Sequence, residues 1–176
     1  MYRQILLALE GKPTDEAAFA HAVDLAQRFS SRLTLLQVVA IAADEGDGMV
    51  RNLQLEPGAS GWRRINRALA NLAAYRERLR KSGLEIETGL VVGERSEADE
   101  VVDFVQAGRY DLIVLASDGR SWWRRAISGS LADGVHRKAT VPTLLVSDGT
   151  RRQRIRKRQR PAWNTGLRAF SRIHPC

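Results

Sequence analysis

Five short apolar runs alternate along the chain with four longer stretches whose apolar residues recur every three or four positions. The first run, RQILLAL at 3–9, ends at Glu10-Gly11-Lys12-Pro13 and reads as a buried strand followed by a turn. Helical spacing follows from Thr14-Asp15-Glu16 to about residue 29, with Phe19, Ala22, Val23, Leu25 and Ala26 on one face. LTLLQVV at 33–39 is a second buried strand. Residues 40–60 are rich in Gly, Asp and small side chains and predict the longest loop of the body. Ser60 is placed to cap a helix over 62–81, with Ile65, Leu69, Leu72, Ala73, Arg76 and Leu79 along its apolar face.

The run at 84–92, LEIETGLVV, alternates early and becomes apolar late, as a strand near a sheet edge does. Ser96 and Asp99 make an acidic capping box for a helix over 97–106, whose face is Ala98, Val101, Val102 and Val105. DLIVLA at 111–116 has the most central character of all the runs. A helix over 131–138 closes on His136, Arg137 and Lys138, charges suited to its negative end. VPTLLV at 141–146 is the fifth strand, and Pro142 places it at an edge. Strands alternating with helices at this spacing imply right-handed crossovers and a parallel sheet covered on both faces, an α/β fold. Such sheets bind ligands at the carboxyl ends of their strands, where the winding reverses. Here that crevice is flanked by Glu10-Gly11-Lys12 after the first strand and by ASDGRSWWRRAISGS (116–130) after the fourth.

Charge divides the chain in two. Of 28 Lys and Arg, nine fall after residue 150 with no acidic residue among them. The preceding body therefore holds 19 basic against 20 acidic residues and is neutral, although the chain carries +8. We expect a folded domain over 1–148 and a flexible basic tail over 149–176. Trp163, Leu167 and Phe170 give the tail one apolar spacing, and residues 151–172 read either as a solvated tail or as a segment that binds nucleic acid, an anionic membrane or a protein partner. No apolar run is long enough to span a bilayer and no signal peptide is evident, so a cytoplasmic protein is expected. The single cysteine, Cys176, has no partner for a disulfide or a metal site.

The turn after the first strand lacks the glycine pattern of a dinucleotide fold, and no Walker loop is present. His21, His136 and His174 lie far apart without metal-ligand spacing, and no nucleophile–base set converges. The loop after the fourth strand carries the clearest chemistry. Gly119 and Gly129 let backbone approach a ligand closely, and Ser130 and Leu131 open a helix whose free N–H groups suit a phosphate. Arg120, Arg124 and Arg125 add donors of the right charge. Ser130 and Asp133 also make a capping box, and Trp122-Trp123 read as covering residues or as a stacking surface for a base.

In element order and in this loop, residues 2–148 resemble the universal stress protein family. Nucleotide-binding members carry G-x-x-G, nine residues, then G-[S/T]. This chain has Ala116-Ser117-Asp118-Gly119, nine residues, then Gly129-Ser130, and LADGVHRKATVPTLLV continues the match. The resemblance implies a flavodoxin-like (Rossmann-like) five-stranded parallel sheet of order 3-2-1-4-5 that binds ATP, with or without Mg²⁺. It also implies a homodimer paired through the strand at 141–146. Glu10 would face the adenosine where members carry Asp, with Gly11 and Lys12 beside it. Val38 or Val39 would meet the adenine through backbone, and Ala116, Gly119, Arg120, Gly129, Ser130 and Leu131 would line the phosphate side. The function implied is a stress-response switch or sensor working with a protein partner rather than an enzyme, slow ATP hydrolysis being the remaining catalytic option. The alternative is a nucleotide-free interaction module acting through its basic tail.

Overall fold

The computed structural model describes residues 2–41, 60–117 and 131–147. Its elements follow one another as β1 (Gln4–Leu9), α1 (Asp15–Phe29), β2 (Arg32–Ala40), α2 (Ser60–Leu79), β3 (Ile86–Gly93), α3 (Glu97–Ala107), β4 (Leu112–Ser117), α4 (Leu131–Lys138) and β5 (Thr143–Ser147). The five strands form one parallel sheet of order β3-β2-β1-β4-β5, as the resemblance implied.

β1 lies at the centre, and Ile5, Leu6, Leu7 and Leu9 are almost wholly buried. Each such side chain stabilises the fold by roughly 1.5–3 kcal/mol relative to exposure. Because side chains alternate across a strand, the sheet feeds two cores. Ile5, Leu7, Leu9, Leu33 and Leu35 pack with Phe19 and Ala22 of α1 and with Leu72 and Tyr75 of α2. Leu6, Ala8, Leu36 and Val38 pack with Val101 and Val105 of α3 and with Leu131 and Val135 of α4. β3 and β5 hold the edges and are less buried, as their mixed patterns and Pro142 foretold.

α2 departs from its predicted face. Its buried positions are Gly61, Ile65, Ala68, Leu72, Tyr75 and Leu79, a stripe at spacings of three and four. Leu69 is 49% exposed instead. Small residues explain the rotation, because Gly61 lets the helix approach Ile41: a Cβ there would stand 3.2 Å from Ile41 Cδ1. Ser60 is the first residue of the helix rather than a residue before it. α3 forms as expected: Ser96 is its N-cap, and its Oγ accepts from the Asp99 N–H at 3.2 Å.

Candidate functional site

The carboxyl ends of β1 and β2 and the start of α4 converge at one end of the sheet, next to the first turn of α3. Glu10, Gly11 and Lys12 follow β1 directly. Their backbone is wound around one carboxylate. Asp15 Oδ2 accepts from the N–H groups of Glu10 at 3.1 Å, Gly11 at 2.8 Å and Lys12 at 3.0 Å. Asp15 is only 1% exposed, and its Oδ1 has no hydrogen-bond partner among the described residues. Burial pushes its pKa above the ordinary aspartate value, with the three N–H groups opposing and the Glu10 charge adding to the rise. The sequence marks Asp15 as an acid for the helix dipole; the structure makes it the anchor of the loop.

Gly11 has φ +71°, a left-handed conformation that favours glycine. A Cβ there would also lie 2.9 Å from Gln37 Nε2. Gln37 is buried beneath the loop, and its Oε1 accepts from Asn71 Nδ2 at 3.0 Å. Neither residue was singled out by sequence, since a lone Gln in an apolar run carries no signal. Above the loop, Lys12 forms an ion pair with Glu10, which is largely covered while Lys12 is exposed.

At the end of β2, Val38 and Val39 are both buried on opposite faces of the sheet. Val38 packs with Ala98 and Leu131, and Val39 with Ile41, Ile65 and Ala68. Any ligand contact from these two therefore falls to their backbone. Ala116 is also buried, paired in register with Val146, and its methyl belongs to the core shared with α1. Leu131 opens α4 and is buried against the α3 side of the sheet. Gly119, Arg120, Gly129 and Ser130, like Trp122-Trp123, lie outside the described residues.

An open groove of about 550 Å³ lies between α3 and α4, lined by Ala40, Ser96, Glu97, Ala98, Leu131 and Gly134, with Arg137 and Lys138 farther along α4. Glu97 stands in the first turn of α3 and is partly buried. Burial, then the charge of Glu10, raises its pKa above the ordinary glutamate value, while Arg64 and Lys12 pull the other way. Four charged residues from three segments, the loop after β1, α2 and α3, thus sense one another over the strand ends. Arg64 and Glu97 escaped the sequence reading, because a cation on a helix and an acid in a first turn are ordinary surface features.

Fold and geometry define a doubly wound α/β protein with its crevice where the strand order reverses. The chain belongs to the universal stress protein family, whose model matches residues 1–147. It is 25% identical over 151 residues to universal stress protein MJ0531 of Methanocaldococcus jannaschii, a match covering 83% of this chain and 82% of that one. Among solved structures, a universal stress protein from Archaeoglobus fulgidus superposes with a TM-score of 0.63 at 23% identity, over 83% of this chain and 99% of that one. The same organism's protein in complex with dAMP gives a TM-score of 0.60 at 23% identity, over 82% and 98%. An Arabidopsis thaliana member with AMP bound gives 0.59 at 13% identity, over 85% and 94%. Among the described residues, no helix is long and apolar enough to cross a membrane.

Proposed function

We propose that this chain binds an adenine nucleotide, ATP in the first instance, at the crevice between β1 and β4 and serves as a stress-response switch. The observation that carries this reading is the Glu10–Lys12 loop, held at the topological switch point by a buried carboxylate. A loop fixed in this way presents its shape before any ligand arrives, which lowers the ordering cost of binding. Beside it lies a groove with an apolar wall of Ala40, Ala98 and Leu131, suited to a base. Relatives of the same fold are solved with AMP and with dAMP, which supports an adenine nucleotide. Gly119, Gly129 and Ser130 are the residues that would take the phosphates. Bound nucleotide would change the surface offered to a protein partner. Pairing of two copies would use the open edge of β5, where Leu145 is 37% exposed.

Thermal melting of the full chain with ATP, with and without Mg²⁺, tests the reading. A ligand at ~100 times its dissociation constant should stabilise the protein by about 2.7 kcal/mol. The Gly129→Asp variant should lose that shift. No shift at millimolar ATP or AMP would refute nucleotide binding.

The nine cations after residue 150 favour a second activity, electrostatic attachment of the tail to a polyanion. Binding to a nucleic-acid fragment should then weaken steeply with salt and vanish when residues 151–176 are removed. Affinity that survives that removal would contradict it.

A further inference from the structure

We propose that Glu97 determines base specificity: its carboxylate accepts a hydrogen bond from the exocyclic amino group of the bound base, so the crevice takes amino-bearing bases over 6-oxo ones. This rests on the adenine-nucleotide reading above and assigns a role to a residue outside the expected site. The groove beside β2 has an apolar wall, and most polar side chains along it are engaged. Ser96 Oγ is taken by Asp99, accepting from its N–H at 3.2 Å and donating to its Oδ2 at 2.6 Å. Lys138 donates to Asp99 Oδ1 at 2.5 Å, and Arg137 Nε to the Asp133 carbonyl at 3.2 Å.

Glu97 differs from all of these. It lines the groove, it is partly buried, and no hydrogen bond reaches its carboxylate among the described residues. The dipole of α3 does not require it, because Asp99 and Glu100 already place negative charge in the first turn. Those two are engaged, Asp99 by Lys138 and Glu100 by Arg95. The Glu97 carboxylate is partly desolvated but open to the groove, so it is free to accept from a ligand N–H. Burial and Glu10 raise its pKa, and Arg64 and Lys12 limit that rise; in its ionised form the carboxylate is an acceptor only. Such a carboxylate matches the 6-amino donor of adenine and repels the 6-oxo acceptor of hypoxanthine or guanine.

The test is calorimetric titration of the full chain with AMP and with IMP, which exchange an amino donor for an oxo acceptor at one position. Wild type should prefer AMP by about tenfold or more, as sites built around one hydrogen bond do. In Glu97→Gln, whose amide can donate as well as accept, the ratio should fall toward one, mainly because IMP binds better. Glu97→Leu should lower AMP affinity while leaving IMP affinity near its wild-type value, and ligand-free melting of both variants reports whether they fold. Wild type binding AMP and IMP equally, a wild-type ratio kept in Glu97→Gln, or equal losses of both ligands would overturn the assignment. Wild type binding neither ligand would instead bring down the nucleotide reading itself, and this assignment with it.

Discussion

Asp15 and Asp111 do similar work at opposite ends of the sheet, with opposite electrostatic results. Each accepts hydrogen bonds from backbone N–H groups of β1 or the segments flanking it. Asp111 Oδ2 takes those of Arg3 at 2.6 Å and Gln4 at 2.9 Å; Asp15 Oδ2 takes those of residues 10, 11 and 12. The Asp111 pKa is lowered, chiefly by its bonds from Gln4 and Arg3. The Asp15 pKa is raised, because burial outweighs even three donors. The same fastening is thus stabilising where water reaches the carboxylate and strained where it does not. A buried, half-satisfied carboxylate persists at the carboxyl end of the sheet, where the crevice needs a loop of fixed shape.

Removing the buried anchor should have the largest effect. Asp15→Ala leaves three loop N–H groups without their acceptor, and we expect a loss of about 3 kcal/mol in urea unfolding, with nucleotide affinity falling as well. An unfolding midpoint within error of wild type would show that the carboxylate does not organise the loop. Gly11→Ala should cost less, roughly 1–2 kcal/mol, from its positive φ and the close approach to Gln37. Equal stability there would mean that the loop relaxes freely.

The smallest effect separates the two aspartates by pH. The lowered pKa of Asp111 contributes stability that is present above the unfolded value near 3.9 and is lost as pH falls through the folded value. The raised pKa of Asp15 works the other way: its contribution is present below the unfolded value and is lost as pH rises through the folded one. Between pH 3 and 7, Asp15→Asn should therefore gain on wild type as pH rises, and Asp111→Asn should lose ground. Parallel stability curves for the two variants would remove the contrast.

Much of the fold was legible because it rests on period and burial. The runs QILLAL and LIVLA have little alternation and are buried on both faces as inner strands, although the middle place goes to β1 rather than to β4, the run that read as most central. The mixed run at 84–92 gave an edge strand, as its exposed Glu87 and Thr88 confirm. The face of α2 was misjudged because Leu69 outweighs Ala68 on any hydropathy scale, whereas close packing against Ile41 favours the side with Gly61 and Ala68. Glu10, Gly11 and Lys12 were legible as the turn after the first strand. Asp15, Gln37, Arg64 and Glu97 were not, since their roles arise from segments far apart in sequence. Nothing in a one-dimensional pattern distinguishes an acid that serves a helix dipole from one that holds a loop or faces a groove.

The central claim is a nucleotide crevice built on the Asp15-held loop, and titration calorimetry of AMP and ATP into the full chain at two salt concentrations tests it most directly. The account predicts one nucleotide bound per chain with a micromolar or tighter dissociation constant, abolished in Gly129→Asp and little changed by salt. Absence of binding would contradict the crevice, and heat that disappears with salt and survives in Gly129→Asp would contradict it by assigning the nucleotide contact to the basic tail.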